Sequence, residues 1–208
     1  MKNVVVIDNP FVIHALGYLR DKNTQIAQYR FYSDQLCQIL LNESLRGLPL
    51  EDETIQTPLS EMQIKRIKAE IVIVPILRAG IAMLQGALQL LPSAKVGFVG
   101  LKRDEKTAIA KEYYWNLPEI TKNTIIVITD PMLATGGSLL HVLKRLQDMS
   151  PKEIRVVAVI SAPEGIEAVQ KEFPYVQIFT AAVDEKLNDQ KFIVPGLGDY
   201  GDRYFGTG

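Results

Sequence analysis

The 208-residue chain sets 23 Lys and Arg against 24 Asp and Glu, a balance that excludes a general nucleic-acid or membrane-surface binder. Its single cysteine, Cys37, excludes an internal disulfide framework and a cysteine metal cluster. With 47% hydrophobic residues, no apolar run of membrane-spanning length and no signal-peptide pattern after Met1, the expectation is one cytoplasmic globular domain over residues 1–208.

In chain order, a short apolar stretch broken by Asp8 and Pro10 reads as an N-terminal arm. Asn23-Thr24 can cap a long helix whose apolar positions Ile26, Tyr29, Leu36, Leu40 and Leu41 follow helical spacing. Residues 46–60, rich in proline and acid, read as a loop with one strand near Ile55. Strand-length apolar runs then follow at Ile71–Val74, Val96–Leu101, Thr124–Thr129, Arg155–Ile160 and Val176–Ala182. Helical stretches at Ile81–Leu91, Ser138–Met149 and Glu164–Phe173 separate most of them. This alternation predicts an α/β fold with a mostly parallel sheet flanked by helices, and a site at the carboxyl ends of the strands.

Residues 102–120 break the rhythm: they lack a helical period and carry Lys102, Arg103, Lys106, Lys111, Tyr113, Tyr114 and Trp115. A long loop in a compact domain is usually functional, so a mobile lid is expected here. The glycine-rich tail from Ile193 is too irregular for helix or strand, yet it holds Leu197, Tyr200, Tyr204 and Phe205, so an ordered, packed loop is expected.

The most informative segment is Thr124–Ser138, Thr-Ile-Ile-Val-Ile-Thr-Asp-Pro-Met-Leu-Ala-Thr-Gly-Gly-Ser. A β-branched run ends at Asp130, small residues and glycines follow, and a helical pattern starts at Ser138. Glycines let the backbone approach a phosphate, and the first N–H groups of a helix have no partner within it. An acid beside an anion cradle suits a phosphorylated sugar. Arg78, in the turn after Ile71-Val-Ile-Val-Pro75 and before Ala79-Gly80, points to the same sheet edge.

Other patterns fail on context. Gly196-Leu-Gly-Asp-Tyr-Gly201 matches G-x-G-x-x-G, but only seven residues follow it, too few for the helix, strand and acid a dinucleotide site requires. No G-x-x-x-x-G-K-[ST] sequence is present. His14 and His141 lack partners at metal or triad spacing and read as packing or surface residues. Asp184-Glu185 reads either as a carboxylate pair or as solvated loop charge.

Taken together, the chain resembles the uracil phosphoribosyltransferases, a family within the type I phosphoribosyltransferases. The resemblance covers nearly the whole chain. It rests on Leu19-Arg20-Asp21-Lys22-Asn23-Thr24, Pro75-Ile-Leu-Arg-Ala-Gly80, Asp130-Pro-Met-Leu-Ala-Thr-Gly-Gly-Ser138, Ala162-Pro-Glu-Gly165 and Val194-Pro-Gly-Leu-Gly-Asp199 with Gly201-Asp-Arg203. Pro131 is the discriminating residue, because most type I relatives carry a second acid there. The resemblance implies transfer of the phosphoribosyl group of 5-phosphoribosyl 1-diphosphate to uracil, giving UMP and diphosphate with Mg²⁺.

It also implies residue roles. Asp130 would accept hydrogen bonds from the ribose hydroxyls, and Pro131, Met132 and Leu133 would line the same loop. Ala134, Thr135, Gly136, Gly137 and Ser138 would hold the 5′-phosphate. Arg78 and Arg103, the latter on a lid spanning about 102–120, would bind diphosphate, and Asp199 would orient Mg²⁺ through water rather than as a direct ligand. Ile193, Gly198, Asp199 and Tyr200, within a C-terminal base-binding hood of about 184–208, would read uracil largely through the backbone, with the Tyr200 ring narrowing the pocket. Relatives are homodimers or larger, and GTP activates some of them. The competing reading is a regulator that uses the same fold to sense nucleotides and bind RNA or protein; the scattered basic residues argue against the RNA-binding version.

Overall fold

The structure, a computed structural model, describes residues 3–103 and 110–207, without the side chains of Arg103 and Ala110. Strand β1 (Val4–Val6) leads into helices α1 (Pro10–Arg20) and α2 (Ile26–Ser44). A hairpin of β2 (Leu50–Gln56) and β3 (Glu61–Ile67) precedes β4 (Glu70–Leu77) and α3 (Ile81–Leu90). Next come β5 (Lys95–Val96), β6 (Phe98–Arg103), β7 (Ala110–Asn116), β8 (Thr124–Thr129), β9 (Met132–Leu133) and α4 (Gly137–Gln147). The chain closes with β10 (Glu153–Ser161), α5 (Pro163–Glu172), β11 (Gln177–Val183), the short pair β12 (Lys186–Leu187) and β13 (Ile193–Val194), and α6 (Tyr200–Phe205).

The main sheet runs β1-β11-β10-β8-β4-β6-β7, with β5 alongside β4 and β9 alongside β10. All its pairings are parallel except β6 with β7. Although β8 is uniformly apolar, its residues alternate between two cores. Ile125 and Val127 face α2 and α3 through Leu36, Leu40 and Met83, whereas Ile126 and Ile128 face α4 and α5 through Leu139, Leu143 and Ile166. Pro75, which cannot donate to a ladder, lies where β4 changes partner. Pairing with β8 ends at Pro75↔Thr129, and pairing with β6 begins at Ile76↔Val99.

Four expectations are corrected. The arm contains a full helix: the Asn9 side chain accepts from the Phe11 and Val12 amides and Pro10 opens α1, a start signal present in the sequence. Asn23 and Thr24 do not cap the long helix, since Gln25 occupies the cap position and the Thr24 hydroxyl donates to the Tyr18 carbonyl at 2.7 Å. The segment at 102–120 is not one long loop, because β7 returns antiparallel along β6; residues 104–109 of the expected lid lie outside the described residues. The tail is ordered and packed as expected but does form regular structure, in β13 and the six-residue α6.

Candidate functional site

The phosphate-loop candidate follows β8 directly. Asp130 leaves the sheet with its amide donating to the Val157 carbonyl at 3.2 Å, and its Oδ1 accepts from the Met132 amide at 3.4 Å. Pro131 is buried, and β9 then runs beside the end of β10, so the loop is held to the sheet before it turns. Gly136 takes a left-handed φ of 78° and caps α4, a conformation that L side chains disfavour. Asp130 and Met132–Leu139 line a small concavity at this helix N-terminus. Lys144 and Arg145 at the far end of α4 complement its dipole.

Gly165, in the Ala-Pro-Glu-Gly motif, supports the loop from below. A Cβ there would stand 2.3 Å from the Ala134 carbonyl oxygen, so only glycine allows α5 to approach this closely. Ala162 donates its amide to the Leu133 carbonyl at 2.8 Å, fixing the same contact.

Arg78 sits at the turn after β4, the strand that pairs with β8, and its side chain is exposed. Gly80 brings this turn against β8: a Cβ would lie 2.4 Å from the Thr129 carbonyl oxygen, and the Thr129 hydroxyl donates to the Gly80 carbonyl at 3.3 Å. The turn carrying Arg78 is therefore packed on the residue immediately before Asp130. The C-terminal segment joins the same edge. Arg78 Nη2 lies 3.4 Å from Asp202 Oδ1, and a Cβ on Gly201 would meet Ala79 at 3.5 Å. Asp199 is exposed and caps α6, its Oδ1 accepting from the Asp202 amide at 2.9 Å.

The fold thus brings together Arg78, the 130–138 loop and the 198–202 segment. Arg103 ends β6, the strand beside β4, and its side chain lies outside the described residues. Tyr200 does not narrow a pocket. Its ring is fully buried, with its hydroxyl hydrogen-bonded to Ser33 Oγ and 3.6 Å from Cys37 Sγ. Ile193 likewise turns its side chain into the core, and Gly198, at φ 80°, is exposed.

Asp184-Glu185 is not a carboxylate pair: Asp184 is buried against Arg20, whereas Glu185 is exposed. His14 packs edge-on to Tyr18 and Tyr32, and His141 binds Glu112, so both are packing or surface residues as expected. Cys37 is buried, and desolvation pushes its thiol up to about 12, which removes it as a nucleophile near neutral pH. Arg20, Asp184 and Arg203 received no role from the sequence, although Arg20 and Arg203 stand in motifs that carry the resemblance. Arg203 donates to the carbonyls of Leu19, Leu197 and Asp21, tying the tail to the end of α1.

The family model described as uracil phosphoribosyltransferase covers residues 6–207. A uracil phosphoribosyltransferase from Geobacillus sp. is 47% identical over 208 residues, the full length of both chains. Among solved structures, the AQ2163 protein from Aquifex aeolicus superposes with a TM-score of 0.93 at 41% identity, covering 98% of each chain. A purine phosphoribosyltransferase from Pyrococcus horikoshii, at 17% identity and a TM-score of 0.52 over 75% of this chain and 85% of its own, shares the fold alone. With full-length relatives at this identity and a family model spanning all but the termini, the chain belongs to the uracil phosphoribosyltransferase family.

Proposed function

We propose that the 130–138 loop, the Arg78 turn and the C-terminal segment form one active site for the reaction that names the family. Uracil and 5-phospho-α-D-ribose 1-diphosphate give UMP and diphosphate. The supporting observation is that these three segments, far apart in sequence, meet at one edge of the sheet, Gly80 packing the Arg78 turn on Thr129 and Gly201 packing the tail on Ala79.

In this reading the first turn of α4, with Thr135 and Ser138, holds the 5′-phosphate, and Asp130 accepts from the ribose hydroxyls. Pro131, Met132 and Leu133 shape the floor between them. Arg78, and Arg103 at the end of β6, bind diphosphate. Positive side chains placed where the leaving group gains charge stabilise the transition state more than the ground state. Among the described residues no cluster of three or more His, Cys, Asp or Glu side chains can hold a metal. A Mg²⁺ ion would take most of its ligands from diphosphate oxygens and water, as it usually does, with Asp199 reaching it through water. Its contribution is charge neutralisation on the leaving group.

Uracil is read by backbone groups of Ile193, Gly198, Asp199 and Tyr200. Cytosine reverses the donor and acceptor at its 3 and 4 positions and would leave buried partners unpaired, a mismatch worth about 10⁴-fold. Residues 1–208 act as one domain with a C-terminal hood at about 184–208, and cytoplasmic placement is consistent with the lack of any described helix long and apolar enough to cross a membrane. Exposed Phe11, Ile13 and Phe31 on α1 and α2 support assembly into a homodimer or larger. GTP as an effector completes the reading, tested by rates with and without it. The deciding assay is diphosphate release from the phosphoribosyl donor, dependent on uracil and Mg²⁺. Comparable kcat/KM for cytosine would refute the backbone readout, and tight UMP binding without turnover would favour a regulator.

A further inference from the structure

Between the two segments assigned to the base, the chain passes through Gly196, and both backbone groups of this residue are taken by one buried ion pair. The Gly196 amide donates to Asp184 Oδ2 at 2.8 Å, and its carbonyl accepts from Arg20 Nη1 at 2.7 Å. Arg20 also forks onto both carboxylate oxygens of Asp184, at 2.9 and 2.5 Å. The Asp184 side chain is 3% exposed and that of Arg20 27%. The Asp184 amide in turn donates to the Ser161 carbonyl at 2.8 Å, fixing the carboxylate to the end of β10. Gly196 itself is at φ 66°, and a Cβ there would stand 2.1 Å from the Ile193 carbonyl oxygen.

We infer that Arg20 and Asp184 are positioning residues for base recognition: they clamp the turn between Ile193 and Gly198 so that its backbone groups are preset for uracil. The inference rests on the reading of the tail as the base site. Neither residue touches substrate in it; they act by removing the freedom of the Gly196 peptides. A planar guanidinium can bind two carboxylate oxygens and a carbonyl in one fixed geometry, which an ammonium group cannot do. The clamp's side chains bind the Gly196 turn directly and reach the 130–138 loop only through the Ser161 backbone, the β10 partner of Leu133, so its effect separates by substrate.

The test measures KM for uracil and for phosphoribosyl diphosphate in Arg20→Lys, Asp184→Asn and Asp184→Ala. KM is independent of the fraction of folded enzyme, so partial unfolding lowers the apparent kcat without moving the ratio of the two. The uracil KM is expected to rise tenfold or more in Arg20→Lys and Asp184→Ala, while the phosphoribosyl diphosphate KM stays within threefold. Asp184→Asn, whose amide oxygen can still accept from Gly196, should fall between Asp184→Ala and the native enzyme. An unchanged uracil KM, or an equal rise in both constants, overturns the positioning role. Gly198→Val perturbs the base segment directly. If it raises the uracil KM while the clamp variants do not, the clamp alone fails; if it too leaves uracil binding intact, the tail is not the base site and the clamp's role falls with it.

Discussion

Substituting Gly165 with alanine isolates the geometry of the proposed phosphate loop from its chemistry, since Gly165 has no side chain and touches the loop only from beneath. The new Cβ would lie 2.3 Å from the Ala134 oxygen and 3.0 Å from the Leu133 oxygen, whereas ordinary contact begins near 3.4 Å. Both neighbours are backbone, so no rotamer can absorb the clash and the loop must move by about 1 Å. Two effects on stability oppose each other. Alanine in the first turn of α5 gains up to about 1 kcal/mol over glycine, and overpacking costs about 1–3 kcal/mol. The net loss is therefore at most about 3 kcal/mol, or a Tm decrease below about 12 °C for a chain of this length. A displacement of about 1 Å in a substrate-positioning group, by contrast, can cost about 100-fold in rate. Steady-state kinetics should show kcat/KM for phosphoribosyl diphosphate falling about 100-fold, with thermal denaturation changed only modestly. Gly17→Ala is the control: nothing lies within 4 Å of a Cβ there, so kinetics should be native. Native phosphoribosyl diphosphate kinetics in Gly165→Ala, or a loss that merely tracks the unfolded fraction, would refute the role of this contact.

Tyr200→Phe removes a hydroxyl bonded to Ser33 inside the core, so urea denaturation should register a loss of about 1–2 kcal/mol while the uracil KM stays within twofold; a large change in that KM would put the side chain back at the pocket. Arg155 is buried, donating to the carbonyls of Ser44 and Arg46 and pairing with Glu153. Arg155→Met should destabilise by about 3 kcal/mol in urea with unaltered kcat, since it strands acceptors at the end of α2 far from the site. Glu112 on β7 is pushed up by desolvation, but hydrogen bonds from Arg145 and His141 outweigh this and hold its carboxyl below the usual carboxylate range. The stability it contributes is present above its unfolded value near 4.5 and is lost as pH falls through the lower folded value. Glu112→Gln should therefore flatten the acid limb of a stability–pH profile, and an unchanged limb would show that the pairing contributes nothing.

The two-layer core was legible because its signal is local. β8 was bounded correctly from its β-branched run, and α3, α4 and α5 were placed within two residues at each end. What escaped was structure that depends on distant partners. β3 has almost no buried residues and is a strand only because β2 lies beside it. β7 reads as a polar aromatic excursion until β6 supplies its ladder and Arg145 stacks over Trp115 at 4.1 Å. The run at 96–101 was expected as one strand but is broken at Gly97, where a Cβ would meet Leu117 at 2.3 Å. No periodicity encodes such contacts.

The candidate site divides along the same line. Asp130, Gly136 and Arg78 could be picked out because strand ends, left-handed glycines and helix starts carry their own signatures in sequence. The residues that hold those groups in place could not. Arg20 closes α1 and Asp184 follows β11, 164 residues apart, and nothing in either neighbourhood says that the two meet at Gly196. Asp184 looked interchangeable with Glu185, yet adjacent positions leaving a strand face opposite sides, and only one of them is buried. Tyr200 misled for the complementary reason. Its place in a glycine-rich base segment suggested a pocket wall, but a buried Ser33 and Cys37 one helical turn apart on α2 offered its hydroxyl a seat in the core. The ring thus serves as an anchor that pulls the segment down, while Gly198 and Asp199 stay exposed above it. Under the proposed backbone readout, base specificity would reside in backbone direction, so substitutions that alter it are to be sought in the buried anchors as much as in the residues lining the pocket.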